Sequence, residues 1–201
     1  NSELDSFVYS ASHDLRSPLA SLLGLITLAK LDKQNLDSYL EKMKTSVKKL
    51  DSFISDIIDF SSNERKELFV RTFKLELIIT EIIKELDYLN YDNRVKINID
   101  VSGEDIFKSD KRRVKIILRN LISNALKYSD PNKQHCEVNI KVHCETTYAT
   151  LEVSDNGIGI KKEALKDIFK MFYRATETSS GSGLGLYIVK ETVEKLEGTI
   201  T

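Results

Sequence analysis

Cysteine, long apolar runs and an excess of either charge are all scarce in this sequence, and each absence narrows the function. Cys136 and Cys144, the two cysteines among 201 residues, have neither metal-site spacing nor the density of a disulfide scaffold. They fit a reducing compartment and read as ordinary strand residues. No run of about 18 apolar residues occurs and no signal peptide opens the chain. The expected place is therefore cytoplasmic, with a membrane reached only through segments outside these residues. Thirty basic residues balance 31 acidic ones, a formal charge of −1. No global attraction to nucleic acid or to an anionic membrane follows, so any anionic ligand must be held locally. The 41% hydrophobic share suffices for real cores, in one large domain or two small ones.

From Leu4 to Leu31 the apolar residues Leu4, Phe7, Ala11, Leu15, Leu19 and Leu22 recur at steps of three and four, the pattern of an amphipathic helix. A break at Asp32 to Asn35 precedes a second series through Leu40, Met43, Val47, Leu50, Ile54 and Ile57, with charge on the remaining faces. Together they read as a helical hairpin. Helices of roughly 40 Å, at about 1.5 Å per residue, cannot enclose such stripes in pairs, so two hairpins are expected to form a homodimeric four-helix bundle. The polar stretch Ser61–Glu67 reads as the interdomain connection, which divides the chain into 1–66 and 67–201. The second part predicts a helix from about Leu75 to Leu89, a strand Val95 to Val101 and a long helix Asp110 to Tyr128. Strands Cys136 to Cys144 and Tyr148 to Val153 follow, paired through Glu145 to Thr147, then short helices near Lys161 to Phe169 and Leu186 to Leu196. Strands and helices mixed without strict alternation imply an α+β sandwich. Gly198–Thr201 looks like a further strand cut off by the chain end, so this domain reads as C-terminally truncated.

Two glycine-rich segments stand out, Asp155-Asn156-Gly157-Ile158-Gly159 after a strand and Gly181-Ser182-Gly183-Leu184-Gly185-Leu186 before a helix. Neither is a Walker P-loop, and glycines also serve plain turns. Their physical use is to let backbone approach a phosphate, with the free N–H groups of the following helix at hand. Asn120, Asn124 and Lys127 fall at i, i+4 and i+7 on one helix face. That stripe reads either as a solvated face or as a polar site, in which the amide oxygen of Asn124 is a hard ligand suited to Mg²⁺.

These segments, in this order, resemble the histidine kinases of two-component signalling over nearly the whole chain. The asparagine-bearing helix is similar to their N box, Asp155–Gly159 and Gly181–Leu186 to their two glycine boxes, and Ile168–Arg174 to the phenylalanine box between them. Ser12-His13-Asp14-Leu15-Arg16-Ser17-Pro18 matches the H box. The resemblance implies an N-terminal hairpin followed by an α/β-sandwich ATP-binding domain of the histidine kinase, gyrase and Hsp90 type. It implies nucleotide contacts from Asn120, Asn124, Lys127, Tyr128, Asp155, Gly157, Gly159, Gly181, Gly183, Leu184, Gly185 and Leu186. Asn124 would hold Mg²⁺, Asp155 the adenine amino group, and Arg174, otherwise a surface arginine, the γ-phosphate. Residues 175–180, small and polar, would form a lid.

His13 is then the expected phosphate acceptor, since a neutral imidazole nitrogen can attack phosphorus. Arg16 and Ser17 share its helix face, whereas Asp14 at i+1 points aside; the resemblance implies a general-base or ring-orienting role for it, which requires Asp14 to lean toward the nucleotide domain. Pro18 cannot donate to Asp14 and predicts a bend. Asn120 stands where the related gyrase-type and Hsp90-type ATPases carry a glutamate base, which favours transfer to His13 over hydrolysis. The family further implies a response-regulator receiver domain as partner. Many family members with a reverse phosphatase activity carry threonine or asparagine four residues after the histidine; here that residue is Ser17, which has the hydroxyl but lacks threonine's methyl. A stand-alone ATPase and an inactive dimerisation module are the rival readings, the first disfavoured by Asn120 and the second by the filled nucleotide positions.

Overall fold

The computed structural model describes residues 2–64, 67–90, 93–145, 147–175 and 181–201. Two long helices lead, α1 (Ser2–Leu31) and α2 (Leu36–Glu64). Asp32 makes the turn between them: its carboxylate accepts from the Gln34 N–H at 3.1 Å, the Asn35 amide at 2.8 Å and the Tyr39 hydroxyl at 3.0 Å. A side chain bonding its own following backbone in this way competes with continued helix, which is why the chain breaks here. Helix α1 continues through Pro18 without interruption. Helix α2 takes in Ser61–Glu64, so the polar stretch read as a connection is half helical. Its Asn63 is buried because two cations of the next domain reach it. Arg113 Nε donates to Oδ1 at 3.4 Å and Lys195 Nζ to the carbonyl at 2.6 Å.

The remainder is a sandwich of helices on a three-stranded sheet. Strand β2 (Val95–Gly103) lies parallel to β4 (Cys136–Cys144), which is antiparallel to β5 (Ala149–Asp155). Alternate residues of β4, from Cys136 through Val138, Ile140 and Val142 to Cys144, are buried, so one face of the sheet is the core and both thiols sit in it, unbridged. Onto that face α3 (Leu75–Glu85) lays Ile78, Ile79 and Ile82, and α4 (Lys111–Lys127) lays Val114, Leu118 and Ile122. Helix α3 stops short of the expected Leu89, and Asp87–Leu89 tighten into a 3₁₀ turn. Helix α5 (Gly185–Lys195) packs beside α4.

Two strands were not expected, β1 (Val70–Phe73) and β3 (Phe107–Asp110), which form a separate antiparallel pair. Four residues each leave only Phe73 and Phe107 to pack inward, edge to face at 5.9 Å, too short an alternation to register in a sequence. The expected helix at Lys161–Phe169 is instead a run of turns, whose N–H groups reach three residues back, as from Ala164 to Lys161 and Asp167 to Ala164. Ala164 alone is buried in Lys161–Leu165, so no apolar stripe stabilises a helix there. Gly198–Thr201 pairs with no strand among the described residues. No helix among them is long and apolar enough to cross a membrane.

One buried carboxylate ties these parts together. Asp110 caps α4 by accepting from the Arg112 and Arg113 N–H groups, both at 3.1 Å, and its other oxygen accepts from the Phe69 N–H at 3.0 Å and from Arg113 Nη1 at 2.6 Å. Burial alone would raise the Asp110 carboxyl, but the two backbone donors and the Arg113 guanidinium outweigh it and hold it below the usual range. The substitution Asp110→Asn should lower stability against unfolding near neutral pH by about 3 to 5 kcal/mol, because it removes the carboxylate that neutralises the buried Arg113 charge. In denaturant titrations the gap from the parent should narrow as pH falls below about 4, where the unfolded chain's carboxyl begins to gain its proton, and close as the folded carboxylate, held lower, gains its own.

Candidate active site

The polar stripe of α4 faces inward to a cleft rather than outward to solvent. Asn120, Asn124 and Lys127, with Tyr128 at the helix end, line a cavity of about 320 Å³ together with Asp155 at the end of β5 and Gly159 beyond it. Gly181, Gly183, Gly185 and Leu186 line it as well, where the chain enters α5. Asn120 is only 8% exposed; its Nδ2 donates to the Ile116 carbonyl at 2.9 Å and its Oδ1 points at Gly185, where a Cβ would come within 2.8 Å. Gly183 has φ +73° and backs onto Phe172, whose carbonyl carbon would lie 2.6 Å from a Cβ. The Asn124 amide has no hydrogen-bond partner among the described residues.

Two expected contacts fall elsewhere. Leu184 is fully buried in an apolar cluster with Ile116 and Ile188 and does not line the cavity: a leucine at the start of α5 gains more from packing on α4 than from facing a polar ligand. Gly157 lies behind the cavity wall, its N–H donating to Asp155 Oδ1 at 2.8 Å, with no room for a Cβ against the Tyr128 carbonyl. It seats the loop on the end of α4. Of the expected lid, Ala175 lines the cavity and 176–180 lie outside the described residues.

His13 projects from α1 with 72% of its side chain exposed, and its Nδ1 lies 3.3 Å from Asp14 Oδ1. Asp14 thus reaches the ring despite standing one residue on, because a short carboxylate can swing back along the helix surface. Its Oδ2 accepts from Arg174 Nη2 at 2.6 Å, and Arg174 in turn lines the cavity. Arg16 and Ser17 are exposed. Aromatic packing backs this contact: Phe7 stacks on Phe60 at 4.9 Å and lies 5.9 Å from Phe172.

The sequence reading missed the part played by α2. Ser52 and Asp56 line the cavity, Lys48 lies over the Tyr88 ring, and Arg119 donates to Ser55 at 2.8 Å and to Asp59 at 3.0 Å. Ser182, in the second glycine segment, donates to Asp56 at 2.5 Å. Lys48, Ser52, Ser55, Asp56, Asp59 and Asn63 recur at helical steps and form one docking stripe. In the sequence they fall on the charged remaining faces of the second helix and, for Asn63, in the polar stretch after it; the available signal was a polar periodicity running beside the apolar one. Burial pushes the Asp56 carboxyl up, opposed by the Ser182 hydroxyl and the Lys127 charge. Burial pushes Lys127 down, opposed by Asp56.

A sandwich whose N-box-like helix and two glycine segments close on one cavity defines a nucleotide-binding domain. Residues 109–201 match the family of histidine kinase-, DNA gyrase B- and HSP90-like ATPases, and residues 3–66 match the His Kinase A (phospho-acceptor) domain. The chain belongs to the histidine kinases. It is 34% identical over 215 residues to the autoinducer 2 sensor kinase/phosphatase LuxQ of Vibrio vulnificus, an alignment covering 97% of this chain and 24% of LuxQ. The chain spans about a quarter of the length of the curated relatives it matches. The fold is shared with the histidine kinase AdeS of Acinetobacter baumannii, with TM-score 0.70 and 23% identity over 94% of this chain and 89% of that one. It is shared also with histidine kinase ThkA in complex with the response regulator TrrA, with TM-score 0.74 and 22% identity over 98% of this chain and 56% of that one.

Gly183→Ala should cost about 2 kcal/mol or more, the left-handed backbone penalty together with the collision at Phe172. A lowered thermal midpoint is the expected readout, and an unchanged one would mean that the second glycine segment is not held against Phe172.

Proposed function

We propose that this chain uses ATP to phosphorylate His13 and passes the phosphoryl group to an aspartate of a response-regulator receiver domain in two-component signalling. The observation that carries the reading is the contact chain from His13 through Asp14 to Arg174, which joins an exposed imidazole on the hairpin to the wall of the nucleotide cavity. With Nδ1–H donating to Asp14, the ring lone pair lies on Nε2. Nε2 attacks the γ-phosphorus in line, the bond to the bridging oxygen of the β-phosphate breaks, ADP leaves, and Asp14 takes the Nδ1 proton. Arg174 exchanges Asp14 for the γ-phosphate, a task that suits its planar fork, and this frees Asp14 to act as base. Positioning and charge neutralisation supply the catalysis. Asn120 offers an amide where hydrolysis would need a carboxylate, and an amide cannot take a proton from water.

Asp155 accepts the adenine amino group, and Lys127, Tyr128 and glycines 159, 181, 183 and 185 surround the phosphates and ribose. Asn124, whose side-chain amide bonds no other described residue, fits Mg²⁺ as one hard oxygen among phosphate oxygens and waters. Bound there, Mg²⁺ would neutralise charge on the β- and γ-phosphates. Exposed Leu19, Leu23 and Ile26 on α1 and Val47, Ile54 and Ile58 on α2 support a homodimeric four-helix bundle. They also support 1–66 as the dimerisation and phospho-acceptor domain, with 67–201 as the ATP-binding domain. The ThkA complex supports a response regulator as partner, and ATP use with two free cysteines supports a cytoplasmic site.

Incubation with γ-labelled ATP should give an acid-labile, alkali-stable phosphoprotein that His13→Gln lacks; label surviving that change would sink the assignment. A relative named as both kinase and phosphatase makes Ser17 the position to test for the reverse reaction. If its hydroxyl takes part, Ser17→Ala should slow the decay of a phosphorylated receiver domain by roughly tenfold or more, the scale of a lost catalytic hydrogen bond, while leaving His13 labelling unchanged.

A further inference from the structure

Among the described residues three cations line the nucleotide cavity, Arg119, Lys127 and Arg174. Each faces a carboxylate that comes from the hairpin. Arg119 pairs with Asp59 at 3.0 Å and Arg174 with Asp14 at 2.6 Å. Asp56 and Lys127 line the cavity together, and the Asp56 charge opposes the downward push of burial on Lys127. Asp56 also accepts the Ser182 hydroxyl, which holds the second glycine segment to α2. The charges that would meet a nucleotide's phosphates are thus already balanced by another part of the same chain. A polyphosphate entering this cavity meets Asp56 in the wall and finds Arg119 and Arg174 already engaged by Asp59 and Asp14.

We propose that, in this seating, Asp14, Asp56 and Asp59 take the electrostatic place of the ATP polyphosphate, so that nucleotide binding and hairpin docking oppose one another. The inference rests on the reading of the cavity as an ATP site. Opposition of this kind is reciprocal: the hairpin weakens nucleotide binding by the factor by which nucleotide weakens docking. Binding of ATP releases the Ser182–Asp56 hydrogen bond together with the ion pairs. The domain then reseats with Arg174 on phosphate rather than on Asp14. Asp56 and Asp59 act on affinity from outside the reacting groups and are positioning residues.

The test is calorimetric titration of the full chain, parent and Asp56→Asn/Asp59→Asn, with a β,γ-imido analogue of ATP plus Mg²⁺, and separately with adenosine. The variant should bind the analogue about tenfold or more tightly, the effect of removing like charges from a half-exposed cleft. It should bind adenosine, which carries no phosphate, as the parent does. A general loosening of the fold would weaken both ligands, so tightening confined to the analogue is not a structural side effect. Analogue affinity that is unchanged or weaker, or an equal gain for adenosine, overturns the proposal. The unmodified chain gives a second measurement: its radius of gyration in X-ray scattering should rise with the analogue and not with adenosine, and a radius unmoved by the analogue also overturns it. Absence of any nucleotide binding to either protein is a different result, which removes the ATP reading itself.

Discussion

Four hydrogen bonds converge on the Asp110 carboxylate, from Phe69, from Arg112 and twice from Arg113, and the placement of the active site depends on them. The carboxylate fixes the first turn of α4, and an α-helix is stiff enough that the start sets the rest. Asn120, Asn124 and Lys127 are presented to the cavity by a rod anchored at its other end. Through Arg113 the same group reaches Asn63 at the end of α2 and the Glu67 carbonyl. The nucleotide helix and the hairpin therefore share one anchor, at the point where the chain passes between them.

Above that anchor the two domains meet along a seam of unusual composition. One side is apolar, with Phe7, Phe53, Ile57 and Phe60 of the hairpin against Ile116, Leu184 and Ile188. The other is the polar stripe of α2. Apolar contact holds the domains near one another with little demand on register, whereas the ion pairs and hydrogen bonds select one seating. Under the proposed function the domain must find both a nucleotide and a histidine, and that division would let the selective contacts be exchanged while the apolar ones persist.

Much of the fold was legible because long periodicities announce themselves. Both hairpin helices, α4 and the β4–β5 pair came directly from the spacing of apolar residues. What escaped was short or locally determined: β1 and β3 offer one inward phenylalanine each, and 161–169 carries helix-forming residues without an apolar stripe. At the site, Asn120, Asn124, Lys127, Asp155 and most of the glycines do converge on one cavity. Leu184 and Gly157 did not follow, since motif membership does not separate a residue that faces a ligand from one that holds its neighbour in place. Asp56 and Asp59 were invisible for another reason. A carboxylate on an amphipathic helix looks solvated until the surface that covers it is known.

The ion pairs along the seam differ in how far water reaches them. The side chains of Asp110 and Arg113 are 5% and 6% exposed, those of Asp59 and Arg119 17% and 29%, and those of Asp14 and Arg174 18% and 36%. Dissolved ions attenuate exposed pairs within a Debye length of about 8 Å near physiological ionic strength and leave buried pairs nearly untouched. Rising salt therefore acts along a gradient, loosening the seam first at His13 and last at Asn63. The anchor at Asp110 and Arg113 is the part that ionic strength does not reach.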